Sequence, residues 1–489
     1  MQRSIVHIAT AMTLAVPAAL ASAHPVREGL GPGEPISELI VRGDCRAVLV
    51  GDSIASRNTD TDRQSSLFWG IVRTWQPDRF VGLSVPTNNN FPDVQVLPPS
   101  SAAVDATVRT LTAGGATRTF SNGYTNVAGA PAMDLRWSGD TPDGTPLVTN
   151  RLQLGGAWAA GDWFVNHQLD ARFIMVATPE TVPALRAESR RGSDAFRAGP
   201  TIDASGPRGI AAIDAPLLAA SPDVPSVRLT AAGIHDESLA QDHLIWLTTR
   251  ITVAGATGFS LDSLAVGGAR IRDWQADGPF IDDGLLTQYL SLAGAPNLFI
   301  VQLGANDSTF DAGWAHDMRA LINRLDAASA EPPAFLLVAT YGTNFSIKHA
   351  DALVAGDQLH SIATDGTGVV PGDRIAFFSY PAMLAGPASQ LVLFDTIHPD
   401  PAGADTLASL MWQAITLPAA CRVDLSSATL PGSPDGVLTG ADFFGFLDAF
   451  LARAPAADLS SPGVVGKPDS LFTGADFFRY LQLFSQGCD

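Results

Sequence analysis

The sequence predicts a doubly wound α/β fold, interrupted by a long antiparallel β-rich insertion and followed by a small helical repeat pair. Three features lead there. Short apolar runs alternate with helix-spaced amphipathic segments at 38–86 and again at 257–418, the rhythm of strands crossed by helices in a parallel sheet. The stretch 87–256 drops that rhythm for Thr, Gly, Pro and Asn between short alternating runs. Residues 421–489 read as two copies of one motif.

The elements follow in order. Residues 1–23 read as an export signal. Arg3 gives a positive start, Ile8 to Leu20 a short apolar segment, and Ala21-Ser22-Ala23 a cleavage site, so the mature chain is expected to begin near His24. The segment is short for a membrane span, which needs roughly 20 residues. Residues 24–37 are rich in Pro and Gly and read as a leader. Ala47–Val50 is expected as a buried strand, Ser65 to Trp75 as a helix and Arg79–Val85 as a strand. In the insertion, Ala132–Trp137, Asp170–Val176 and His243–Val253 alternate like strands. Many short strands between turns suggest an antiparallel sandwich, and a structureless loop of this length is implausible.

The α/β rhythm then resumes. Strands are expected at Ser260–Val266, Asn297–Leu303, Ala334–Thr340 and Arg374–Tyr380. Helices are expected at Leu285–Leu292, Ala312 to Ala330, His349–Ala363 and Pro401 to Thr416. In such a sheet, sites form at the carboxyl ends of the strands. Gly51-Asp52-Ser53, Gly267-Gly268 and Gly304–Asp307 all fall there.

The 489-residue chain is 46% hydrophobic and 16% charged, so it can bury a large core and is no disordered chain. A net charge of −19 argues against nucleic acid and anionic membrane as partners, because both repel an acidic surface. Neutral polysaccharides and small esters are compatible with it. Cys45, Cys421 and Cys488 are too few for a disulfide scaffold or a zinc site. Cys45 with Cys421 would close a long loop if oxidised; three thiols are the alternative.

Ser53, Asn306, and the pair Asp395 and His398 supply the parts for acyl transfer through a covalent intermediate. A serine hydroxyl needs a base to take its proton. His398 is the candidate base, and Asp395 the acid that fixes its tautomer and stabilises its cation. The three-residue spacing lets both side chains converge in a tight turn or one helical turn. The Ser53 N–H, the Gly268 N–H and the Asn306 amide are candidate donors to a developing oxyanion. Singly, these motifs read as a turn, a helix cap and a loop; their fixed order at strand ends joins them. His167, His235 and His349 are scattered and lack ligand spacing. Trp158 and Trp163 suit either sugar stacking or core packing.

On these residues the chain resembles the SGNH hydrolases, also called GDSL-like lipases and esterases. Gly51-Asp52-Ser53-Ile54 matches the first block with Ile for the usual Leu, Val266-Gly267-Gly268-Ala269 resembles the second, Gly304-Ala305-Asn306-Asp307 matches the third, and Asp395-Thr396-Ile397-His398 the fifth. The resemblance implies a flavodoxin-like α/β/α domain. It also implies metal-free ester hydrolysis by Ser53, His398 and Asp395, with an oxyanion hole from Ser53, Gly268 and Asn306. Export and domain company point to an acylated polysaccharide, with acetate as the acyl group. A lipid or aryl esterase, and a catalytically silent carbohydrate-binding or scaffold protein, are the alternatives.

In the tail, Asp424 aligns with Asp458, and Pro434 to Phe444 with Pro468 to Phe478, at a constant offset of 34. The copies resemble dockerin-type repeats. This implies calcium at Asp435, Thr439, Asp442, Asp469, Thr473 and Asp476, and a protein or cell-surface partner. Asp424 and Asp458 lie too far upstream for a regular loop, and Ser470 replaces the expected turn glycine. A metal-free helical hairpin packed through Phe443, Phe444, Phe477 and Phe478 is the other reading.

Overall fold

The computed structural model describes residues 36–41, 45–56, 66–75, 80–86, 94–95, 108–113, 116–121, 126–127, 130–131, 133–137, 146–151, 166–177, 184–204, 206–223, 225–232, 242–266, 268–278, 281–292, 294–343, 347–384, 391–393, 396–416, 438–451, 457 and 473–486. The export signal at 1–23 lies outside the described residues, as do Trp158, Trp163, His235, Asp395, Cys421 and Cys488. Residues Val26–Thr416 form one compact unit, and Leu417–Asp489 belong to another.

The centre of the large unit is strand β1 (Arg46–Gly51). Its apolar run is buried on both faces, as a central parallel strand requires. Ala47 and Leu49 enter one apolar cluster, and Val48 and Val50 the other, because successive side chains point to opposite faces. Helix α1 (Ile36–Val41) reaches back into the expected leader, since Ile36 and Ile40 are buried in the first cluster. Ser53–Ser56 forms the short helix α2 and Leu67–Thr74 helix α3. Strand β2 (Phe80–Pro86) follows.

The segment 87–256 supplies β3 (Val94–Gln95), β4 (Val108–Ala113), β5 (Ala116–Ser121), β6 (Asn126–Val127), β7 (Ala130–Pro131), β8 (Met133–Trp137), β9 (Pro146–Arg151), β10 (Leu169–Ala177), β11 (Ala184–Arg191), β12 (Arg197–Asp203), β13 (Gly209–Asp214), β14 (Pro225–Ala231) and β15 (Asp242–Val253). Beyond it come β16 (Phe259–Ser263), α4 (Asp283–Leu292), β17 (Leu298–Leu303), α5 (Ala312–Ala328), β18 (Ala334–Ala339), α6 (His349–Asp365), β19 (Ile375–Ser379), α7 (Tyr380–Met383) and α8 (Pro401–Thr416).

Strands β19-β18-β17-β1-β16-β2 lie in that order and pair in parallel. Helices α1, α3 and α8 cover one face through Ile40, Phe68, Ile71 and Met411. Helices α4, α5 and α6 cover the other through Leu286, Ile322 and Leu359. The result is three layers.

The insertion is joined to this sheet more closely than the sequence suggests. β15 pairs antiparallel with β2, Ile251 opposite Leu83, and carries the sheet on through β8, β5 and β4 and through β10 and β13. The edge of β2 would otherwise present unpaired backbone groups, and β15 satisfies them. A five-stranded antiparallel sheet, β12-β11-β14-β9-β3, also forms from this segment. Leu185, Val227 and Leu229 of that sheet share an apolar cluster with Phe173, Met175 and Trp246 of the large one.

In the small unit, α9 (Gly440–Leu451) and α10 (Gly474–Gln486) pack through Phe446 stacked on Tyr480 at 4.0 Å. Phe443 and Phe477 join this cluster, whereas Phe444 and Phe478 are exposed.

Candidate active site

β1 lies between β16 and β17; the chain runs from β1 to β2, beyond β16, and later crosses from β16 to β17 on the other side of β1, and such a switch point opens a crevice at the strands' carboxyl ends. β1 ends there on Gly51. A Cβ on Gly51 would lie 2.5 Å from the Ala55 Cβ and 2.8 Å from the Gln302 carbonyl oxygen, so the tight strand-to-helix turn needs glycine. Ser53 opens α2 directly after this turn. Its Oγ lies 2.8 Å from His398 Nε2, across 345 residues of chain. Both side chains are buried.

Asp52 ties this turn to the next loop. One carboxylate oxygen accepts the Ile54 N–H at 2.9 Å and the other accepts the Ala305 N–H at 3.1 Å. Its own N–H donates to the Gln302 carbonyl at 3.3 Å. The carboxyl is fully buried, and burial pushes its pKa from 3.8 up to about 7. The two N–H donors and the adjoining Gln302 amide oppose that rise, while nearby Asp307 adds to it.

The loop after β17 joins three parts of the crevice. Gly304 has φ +128, a backbone that favours glycine. Ala305 binds Asp52 as above. Asn306 Nδ2 donates to the Ala269 carbonyl at 3.1 Å. Asp307 accepts the Ile271 N–H at 3.4 Å, and burial pushes its carboxyl pKa up. An amide nitrogen carries two hydrogens, so the Ala269 bond orients the Asn306 group and uses one of them.

β16 ends at Ser263, earlier than the sequence suggests, yet the pairing with β1 continues through Leu264 N–H to the Leu49 carbonyl and Val266 N–H to the Gly51 carbonyl at 2.9 Å. Gly268 follows two residues after this bond to the end of β1. Its φ is +79, and a Cβ there would meet nothing within 4 Å, so the backbone opens onto unobstructed space.

His398 rides a loop that folds back on itself. Leu393 bridges Pro399, and the Asp400 N–H donates to the Val392 carbonyl at 3.0 Å. Asp400 caps α8 by accepting the Gly403 N–H at 2.7 Å, with Pro401 at the first helical position, where its missing N–H costs nothing. Tyr341, just beyond β18, donates its hydroxyl to the Ile397 carbonyl at 2.7 Å.

Of the expected site residues, Ser53 and His398 touch, while Gly268 and Asn306 stand on loops laced to the same turn. Asp395 lies outside the described residues. Asp52 and Asp307 lie inside the Gly-Asp-Ser and Gly-Ala-Asn-Asp motifs, which give them no role of their own, and nothing in the sequence singles out Tyr341. The arrangement places a base against a hydroxyl, with backbone and amide donors close by, which is what nucleophilic acyl transfer requires.

In the tail, two of the aspartates bond to threonines three residues before them. Asp442 Oδ2 accepts both the N–H and the hydroxyl of Thr439, at 2.7 and 3.1 Å. Asp476 repeats this with Thr473 at 2.8 and 3.3 Å. In each copy the aspartate at the third helical position holds the N–H of the threonine before the helix, one half of a capping box. Asp435 and Asp469 lie outside the described residues. Among the described residues no group of three acidic, His or Cys side chains gathers to hold a metal. Cys45 is buried. Among the described residues no helix is long and apolar enough to cross a membrane.

No family model matches the chain, and no curated relative does. Among solved structures, a peptidoglycan O-acetylesterase aligns at 14% identity over 80% of this chain and 99% of its own, with a TM-score of 0.45. A family two carbohydrate esterase from Cellvibrio japonicus aligns at 12% identity over 68% of this chain and 98% of its own, with a TM-score of 0.24. An acetyl xylan esterase from the rumen bacterium Butyrivibrio proteoclasticus aligns at 10% identity over 56% and 92%, with a TM-score of 0.24. These neighbours are esterases of carbohydrate or peptidoglycan; likeness of this order assigns the chain neither family nor activity.

Proposed function

We propose that the protein is an exported serine esterase of the SGNH type that removes acetyl groups from a polysaccharide. The observation that carries this reading is the 2.8 Å contact between Ser53 Oγ and His398 Nε2 at the carboxyl end of β1. In this reading Ser53 attacks the ester carbonyl and its proton passes to His398 Nε2. The oxygen becomes negative and is stabilised by the Ser53 and Gly268 N–H groups and by the second hydrogen of the Asn306 amide. His398 returns the proton to the leaving alcohol. Water, activated by the same imidazole, then releases the acid. Asp395 is the acid that orients His398. Each of these steps uses the chain's own side chains and backbone.

The remaining assignments belong to the same proposal. Residues 1–23 direct export, 87–256 act as the inserted β-rich domain, and 421–489 serve as the module that meets a surface or protein partner. In this reading the insertion, which separates Ser53 from Gly268 in the chain, forms part of the substrate cleft.

Ser53→Ala should abolish hydrolysis of a short-chain chromogenic ester, and labelling by a fluorophosphonate should vanish with it; undiminished turnover would sink the assignment. Acetate release from acetylated glycans, set against hydrolysis of long-chain esters, tests the substrate half. A preference for long chains would overturn it.

A further inference from the structure

We infer that Tyr341 is the positioning residue for the catalytic base, acting on His398 through the peptide that precedes it. The inference rests on the esterase reading above. The ends of the His398 loop are held by the Leu393–Pro399 bridge and the Asp400–Val392 bond. Between them, the peptide joining Ile397 to His398 is gripped from the sheet by the Tyr341 hydroxyl at 2.7 Å.

Tyr341 is itself immobilised. It is fully buried two residues beyond β18, and its ring meets the Tyr380 ring edge-on at 6.3 Å. Tyr380 in turn meets the Phe378 ring edge-on at 4.7 Å. A phenol so packed has few rotamers to lose, so its hydroxyl fixes a point in space. The His398 imidazole must hold its 2.8 Å contact with Ser53 through proton transfer in both directions. A misplacement on the order of 1 Å can cost about 10²-fold in rate. The hydroxyl therefore acts on turnover rather than on substrate binding.

Tyr380 provides a matched control. It too is fully buried and donates its hydroxyl to a backbone carbonyl, that of Leu407 at 3.0 Å. That carbonyl lies within α8, away from the loop.

The experiment compares Tyr341→Phe and Tyr380→Phe with the unaltered full chain, on a chromogenic acetate ester. Thermal unfolding and the rate of fluorophosphonate labelling are followed in parallel. Both variants keep the ring and lose one buried hydroxyl, so similar losses of stability are expected. Tyr341→Phe should lower kcat and the labelling rate by about 10- to 100-fold with KM nearly unchanged, while Tyr380→Phe should match the parent in all three. Equal kinetics in the two variants, or a change confined to KM, would overturn the positioning role. If Tyr341→Phe is unfolded at the assay temperature, all proteins are compared at a lower temperature at which its thermal unfolding curve shows it folded, and the same kinetic outcomes decide. Ser53→Ala is run alongside. Activity surviving in Ser53→Ala sinks the esterase reading itself, whereas a dead Ser53→Ala beside a fully active Tyr341→Phe sinks the positioning role alone.

Discussion

Replacing Asp52 by Asn should change how stability depends on pH, and by a calculable amount. The Asp52 carboxyl is fully buried and its pKa is raised from 3.8 to about 7, chiefly by burial. Between those values the unfolded carboxyl has lost its proton and the native one retains it. The native state then binds more protons, so this group's contribution to stability is complete below 3.8, falls as pH rises and is lost above about 7. At 1.36 kcal/mol per unit, the fall between about pH 5 and about pH 8.5 is on the order of 3 kcal/mol. An Asn at this position does not titrate. It keeps one acceptor oxygen and turns an amide N–H toward the Ile54 or Ala305 N–H, a fixed penalty of about 1–3 kcal/mol at every pH. Urea unfolding of both proteins across this range should show the stability of Asp52→Asn, relative to the parent, rising by about 3 kcal/mol toward alkaline pH. A flat difference would refute the buried, proton-retaining carboxyl. A difference that falls with pH would show that its pKa is lowered instead.

Three further outcomes follow from the geometry. If Asn306 is an oxyanion donor as proposed, Asn306→Ala should reduce kcat by about 10²- to 10³-fold in steady-state ester hydrolysis. Gly70→Ala should lower both Tm and activity: the new Cβ would fall 2.2 Å from the Ala404 carbonyl oxygen, forcing α3 from α8, and such overpacking costs about 1–3 kcal/mol. Asp442→Ala should cost the tail about 1 kcal/mol by leaving the Thr439 N–H without its carboxylate partner, measured by unfolding of the full chain, with ester hydrolysis unchanged.

Much of the α/β frame is legible because each strand is a compact apolar run. Leu298–Leu303 and Ala334–Ala339 are buried at every position, and a continuous apolar run between amphipathic helices has few other places to go. The helix Pro401–Thr416 is read to the residue because Pro401 and the cap Asp400 mark its start. The insertion is harder. Period-two alternation identifies β10 and β15 as strands, yet it does not say which edge they join; β2 and β15 pair across more than a hundred residues, and that choice is made by an unpaired edge rather than by local pattern. The early end of β16 is hidden for a related reason, since Leu264 and Val266 go on bonding to β1 as a strand does.

The site divides along the same line. Ser53, Asn306 and His398 are legible because their motifs stand in a fixed order at strand ends, whereas Asp52 and Tyr341 act through backbone partners that the sequence does not name. Asp52 shows why this matters. A fully buried carboxyl with a raised pKa lowers stability near neutral pH, and a neutral apolar residue would avoid that loss. No such residue can accept two N–H groups from two different loops. By holding the Ile54 N–H and the Ala305 N–H on opposite oxygens, Asp52 fixes the residues next to Ser53 and Asn306 relative to each other. Those two supply donors to the same oxygen in the proposed reaction, and preorganised donors stabilise charge because they need no reorganisation when it appears. The cost in stability and the gain in preorganisation therefore belong to one side chain. Asp52→Asn should separate them, giving a protein that gains relative stability at alkaline pH while its kcat falls.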